Sequence, residues 1–254
     1  MSSYRTEAVV IKSSDFGEAD RLLTLYTRNK GKLSAIAKGV KKPESRKAGS
    51  VDLLSHVSLY LAEGRSLDII LEASLLNTFS NLRQNLHLIA SCYAILELVD
   101  QITPDRQENI ELFRLLTQVL TKLDEVVKDE DAGKILTAFK IKLLTNTGFR
   151  PQLVKCANCS SILTTASNRF SAALGGVLCG ACGNLDKASR PISTQAIKIL
   201  RFIQDEDYDQ VMKLDYPKVL GMEVEQQIRY YLEYLLEKEL KSNHFVEKVN
   251  GLSS

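Results

Sequence analysis

The chain has 254 residues, 44% hydrophobic and 25% charged, with a net charge of +2; this length predicts two or three packed units of an ordinary globular protein. The start, MSSYRTEAVV, has neither the apolar core nor the cleavage pattern of a signal peptide, and no later apolar run is long enough to cross a bilayer. That excludes a membrane-spanning reading and predicts a cytoplasmic protein. The charge is uneven: residues 1–50 carry eleven Lys and Arg against five Asp and Glu, a surplus of six that the other 204 residues offset with a deficit of four. A basic end of this kind predicts a nucleic-acid face on one domain, with a solvated basic surface as the plainer alternative.

From Glu7 to about Phe79 the apolar residues recur with a period near two, in the runs EAVVIKS, RLLTLYT, KLSAIAKGV, DLLSHVSLYLAE and LDIILEASLL. In the fourth run, Leu53, Val57, Leu59 and Leu61 share one face while His56, Ser58 and Tyr60 take the other, the pattern of a strand with one buried side. RNKG and EGRS supply the glycine and polar residues that hairpin turns need. Five short strands in about 80 residues predict a small closed barrel of the OB-fold kind, with a half-open SH3-like barrel as the rival.

After Ser80 the period becomes helical. Leu82, Leu86, Ile89, Tyr93 and Leu96 predict one helix, Leu112 to Leu123 a second, and AGKILTAFKIKLL a third that stops at Gly148 and Pro151. Two more follow a cysteine-rich interruption: STQAIKILRFIQ, with Ser193 as its N-cap, and MEVEQQIRYYLEYLLEKEL, striped by Val224, Ile228, Leu232 and Leu235. The predicted class is therefore α+β: a barrel over 1–80, a helical domain in two parts over 81–150 and 188–254, and between them a module over 151–187.

That module holds four of the five cysteines. Cys156 and Cys159 form one C-x-x-C, and Cys179 and Cys182 a second, nineteen residues later. Two such knuckles at this separation match a tetrahedral four-thiolate zinc site. A reducing cytosol argues against disulfides. With no histidine in the box, the thiolates close the metal's shell, so the zinc is read as one structural ion and not a catalyst. The pattern H-x-E followed by P-C-x-x-C is absent as well. The fifth cysteine, Cys92, sits among apolar residues and is read as core.

Nothing in the chain specifies a reaction. Neither Gly31-Lys32 nor Gly133-Lys134 belongs to a phosphate-binding loop, His56, His87 and His244 are scattered, and no nucleophile elbow occurs. The acidic run DEDYD at 205–209 is read as a solvated loop. The expectation is a protein without enzymatic activity or nucleotide cofactor.

The segment AKGVKKPESRKAG places Lys38, Lys41, Lys42, Arg46 and Lys47 within ten residues, broken by Gly39, Pro43 and Gly49, and predicts a cationic loop at the barrel edge. OB-folds bind oligonucleotides against such loops. Arg21, Lys30 and Lys32 are expected to extend the patch, and Phe16 and Tyr26 are the candidate stacking rings, each also fitting a core position.

The stretch from Tyr4 through this loop, with its Glu-Ala-Asp-Arg run at 18–21 and Gly-Lys-Leu-Ser turn at 31–34, resembles the RecO family of bacterial recombination mediators. GFRPQLVKCANC and RFSAALGGVLCGAC are similar to that family's zinc-binding insertion. The resemblance implies a non-enzymatic DNA-repair protein that binds single- and double-stranded DNA and anneals complementary strands without ATP. It implies partnership with RecR and with the C-terminal tail of the single-strand-binding protein, indirect work on RecA, and a place in the bacterial cytoplasm at the nucleoid during repair. A zinc-ribbon transcription or translation factor acting through protein partners is the alternative.

Overall fold

The computed structural model describes residues 2–45, 47–127, 129–164, 167–237 and 248–249. The chain divides into two compact units, one built on Met1–Glu125 and the other on Val126–Asn243. The division falls inside the span expected to form the first part of a helical domain, so the first two helices group with the barrel.

In the first unit, β1 (Ser3–Phe16), β2 (Asp20–Thr27), β3 (Gly31–Ala37), β4 (His56–Ala62) and β5 (Asp68–Asn77) form a closed barrel in the order β1-β2-β3-β5-β4. The period-two patterns do what strand geometry requires. Leu33, Ala35 and Ala37 of β3, and Val57, Leu59 and Leu61 of β4, point inward and alternate with more exposed neighbours. Leu53 lies outside β4, because the chain turns just before the strand, with Leu54 at φ 69°. A bulge between Val10 and Lys12 bends the 14-residue β1, which pairs antiparallel with β2 on one side and β4 on the other. Closure comes from a short parallel pairing, Ala35 with Asp68 and Ile36 with Ile69.

Helices α1 (Leu86–Ile102) and α2 (Ile110–Asp124) start at Asn85 and Asn109, whose side chains accept backbone N–H groups of the first turn. Their attachment to the barrel is specific. The Arg106 N–H donates to the Lys32 carbonyl (2.7 Å), continuing the edge of β3, and the Arg106 guanidinium donates to Asp68 (2.8 Å). Asp124 accepts the N–H groups of Asn81 and Leu82, tying the end of α2 to the segment that leaves β5.

The second unit contains α3 (Asp129–Asn146), α4 (Thr194–Asp205), α5 (Tyr208–Lys213) and α6 (Lys218–Leu236), with a small sheet of β6 (Arg169–Ser171), β7 (Gly176–Leu178) and β8 (Arg190–Pro191) in the order β7-β6-β8. Ser193 caps α4, accepting the Ala196 N–H. The expected helix from Met222 begins earlier, at Lys218, and its last positions, 238–240, lie outside the described residues. Lys140 of α3 is almost wholly buried and ion-pairs with Glu225 of α6, which also accepts the Thr137 hydroxyl (2.9 Å). The acidic run is structured: Asp205 pairs with Arg150 (2.7 Å), and Asp207 caps α5 by accepting the Gln210 N–H (2.9 Å). No described helix is long and apolar enough to cross a membrane.

Candidate nucleic-acid interface and metal centre

One rim of the barrel gathers much of the expected cationic set. Lys38, Lys41 and Lys42 follow β3 and are exposed. Two backbone N–H groups hold their turn against the β1–β2 connection and the start of β2: that of Lys41 donates to the Ala19 carbonyl (3.0 Å) and that of Gly39 to the Asp20 carboxylate (2.7 Å). Gly39 sits at φ 64°, a left-handed conformation that favours glycine. Lys41 pairs with Asp15 (2.9 Å), whose carboxyl is held below its usual range by that ammonium. Phe16 stands beside Asp15 at the end of β1 with 45% of its surface exposed, so a ring and three cations share this rim. Arg21 pairs with Asp52 (2.9 Å) and lines a shallow concavity with Ser13, Ser14 and Arg83. Arg83 was not among the expected cations; it follows the last strand, and only the fold carries it to Arg21.

Other expected positions lie elsewhere. Lys30 and Lys32 flank the β2–β3 turn, at the end of those strands opposite Arg21 and Ala37, roughly 17 Å away at the rise of a strand. Lys30 pairs with Glu63 (2.7 Å) and sits over the Tyr4 ring. Lys32 is only 12% exposed and lies near Asp100 (3.7 Å) and Asp105 (3.5 Å), which makes it a brace between barrel and helices. Lys47 donates to the Ile70 carbonyl (3.1 Å). Arg46 lies outside the described residues, as does His244. Tyr26 is buried on the face of β2 opposite the core-facing Leu23 and Leu25, and that burial raises its pKa, so its ring is unavailable for stacking. The strand period sets Tyr26 on the face opposite Leu23 and Leu25, but it does not show that this outer face is covered as well.

In the second unit the four cysteines converge. The sulfurs of Cys156, Cys159, Cys179 and Cys182 all lie within 4.8 Å of one another. Cys156 and Cys182 are buried and pack with Leu178, while Cys159 is exposed. Each knuckle is a tight turn: the Ser160 N–H returns to the Cys156 carbonyl and the Cys182 N–H to the Cys179 carbonyl, both at 3.0 Å. Gly176 lets the β6–β7 hairpin meet the strand-like run before Cys156, since a Cβ there would lie 2.5 Å from the Gln152 carbonyl oxygen. N–H groups point at sulfur, from Cys179 to Cys156 (3.4 Å) and from Asn158 to Cys182 (3.5 Å).

The acid–base character of the cluster is divided. The Ser161 hydroxyl, 3.0 Å from Cys159, brings that thiol down to about 6. At Cys182 the Asn158 amide lowers the pKa, but burial and the neighbouring thiols push it up to about 12. Sulfurs this close cannot all shed their protons unless a cation sits among them. The four could hold a metal ion. Cys92, by contrast, is buried in α1, and burial raises its thiol to about 12.

The family model described as Recombination protein O N terminal matches residues 1–79, and that described as Recombination protein O C terminal matches residues 83–244. The chain belongs to the RecO family. It is 38% identical over 249 residues to the DNA repair protein RecO of Roseiflexus sp. strain RS-1, covering 98% of this chain and 87% of the relative. It is 34% identical to the protein of the same name from Dehalococcoides mccartyi strain 195, over 94% and 93% of the two chains. With that of Desulforudis audaxviator strain MP104C, 34% identity extends over the full length of both. The first match spans the whole barrel and the second spans the cysteine cluster, so both features lie within the family's own architecture.

Proposed function

We propose that this RecO-family chain is a DNA repair and recombination mediator that binds single- and double-stranded DNA and anneals complementary strands without ATP. In this reading it works with RecR to help load RecA onto DNA coated by the single-strand-binding protein, and it catalyses no covalent step. One observation carries the DNA-binding part: Lys38, Lys41 and Lys42 stand exposed beside Phe16 on the rim of a closed five-stranded barrel, and small barrels of the OB-fold kind, to which we assign it, bind oligonucleotides at such loops. Annealing needs cations that offset repulsion between two phosphate backbones while leaving the bases free, and lysines on a loop supply point charges without reading sequence. Arg46 and Lys47 belong to the same loop in sequence, and Arg21 and Arg83 extend its charge along the concavity.

The metal of this reading is a single structural zinc ion. Tetrahedral Zn–S bonds of about 2.3 Å put sulfurs roughly 3.8 Å apart, and Cys159 and Cys179 are 3.8 Å apart here. When bound, zinc supplies a fixed crosslink between the two knuckles and, with its shell filled by four thiolates, no open position for chemistry.

The interface is tested by replacing Lys38, Lys41 and Lys42 together with Glu and titrating a labelled single strand at several salt concentrations. Losing three phosphate contacts should weaken binding and flatten the slope of log affinity against log salt by about 2. An unchanged slope and affinity would remove this rim from the interface.

A further inference from the structure

The linker between α3 and α4, residues 147–193, carries five basic residues and one acidic one, a surplus of four in a chain whose total is +2. The acid, Asp186, is engaged internally: its carboxylate accepts the Ser171 hydroxyl (2.6 Å) and the Ala188 N–H (2.9 Å). Lys187, inside that turn, and Arg190, just after it, are exposed. The Arg190 guanidinium lies 4.0 Å from the centre of the Tyr230 ring, and the Tyr230 hydroxyl donates to the Ala188 carbonyl (2.9 Å), fixing the ring against the turn. One helical turn further along α6, Tyr234 is half exposed on the same face.

The exposed Tyr234 ring, the part-exposed Tyr230 ring with a flat guanidinium over it, and the exposed Lys187 of the adjoining turn combine π-faces with positive charge. Single-stranded nucleic acid presents the complement, bases to stack and phosphates to neutralise. An acidic peptide would use the cations and leave the exposed Tyr234 ring without a role. We propose that Lys187, Arg190, Tyr230 and Tyr234 form a second single-strand binding site, on the unit that does not carry the barrel. The proposal rests on the DNA-binding reading above and extends it: annealing brings two strands to one protein, and a second site would hold the second strand.

The test uses the full chain and an oligothymidine in which single bases are replaced by 5-iodouracil, which couples to nearby aromatic side chains on irradiation. Cross-linked peptides containing Tyr230 or Tyr234 are expected, and they should persist in the variant K38E/K42E. The variant K187E/R190E should lose them while its circular dichroism stays unchanged, and saturation binding should fall twofold, from two strands per chain to one. If the unaltered chain binds the oligonucleotide, yields no cross-link at either tyrosine and matches K187E/R190E in stoichiometry, the second site is wrong and the barrel rim stands. Absence of any oligonucleotide binding by the unaltered chain would overturn the DNA-binding reading itself. Protection of Lys187 from acylation by an acidic peptide, with no cross-link to DNA, would reassign the face to a protein ligand.

Discussion

Asp68 is fully buried, and burial alone would raise its pKa. The Tyr4 hydroxyl (2.5 Å), the Arg106 guanidinium (2.8 Å) and the Gly64 N–H (3.1 Å) reverse that, so the carboxyl stays below its ordinary value and its charge is met on three sides. His56 shows the opposite balance. Its ring packs edge-on to Phe113, and burial depresses its pKa although the Glu7 carboxylate, 3.4 Å away, favours the charged form. The folded chain therefore takes up a proton on His56 less readily than the unfolded chain does. This contribution to stability is present above the unfolded value of about 6.5 and is lost as pH falls below it through the lower folded value. Thermal unfolding of the native chain and of His56→Leu, compared at pH 7.5 and pH 5, should show a smaller acid-induced loss in the variant. Equal losses would mean that His56 titrates alike in both states.

At the level of elements, the turn between β2 and β3 does more than reverse the chain. Gly31 has φ 61°, and a Cβ on it would lie 1.9 Å from the carbonyl oxygen of Gln107, so the loop between α1 and α2 rests directly on this turn. Gly31→Ala should destabilise the first unit by more than about 2 kcal/mol through combined backbone strain and steric overlap, measured by urea denaturation. The hairpin itself was legible in RNKG, because the sequence signature of a turn is local. Its second role was not, since the partner lies over seventy residues away. The same distinction separates the cysteine knuckles, whose spacing revealed the cluster, from Arg83 and Tyr230, whose importance depends on neighbours distant in sequence. Lys32 is the instructive failure: next to Lys30 it looked like part of a basic surface, but Asp100 and Asp105 of the α1–α2 segment claim it.

For the whole molecule, the division at Glu125 puts α1 and α2 with the barrel, while the cysteine cluster belongs to the unit of α3 to α6. Hydrophobic period distinguished strand from helix, but it could not say which helices pack together, because their apolar stripes are alike. The zinc ion proposed for the cysteine cluster would lie within one unit, which gives an asymmetric prediction. Stripping it with a chelator, or substituting Cys156→Ser, should lower the unfolding temperature of the second unit and leave that of the first in place. Hydrogen exchange resolved by peptide would check this, with increased exchange across β6–β7 and α4 and little across the barrel strands.

The bond from the Arg106 N–H to the Lys32 carbonyl also bears on how the chain is made. β3 meets β5 at only two positions, so much of its outer edge would be an open template for another strand if the α1–α2 loop did not cover it near Lys32. That loop is synthesised some seventy residues after the strand it protects. A nascent chain that has completed its five strands but not yet Arg106 is thus a barrel with an adhesive seam, and the interval before the loop arrives is when this protein is most open to aggregation.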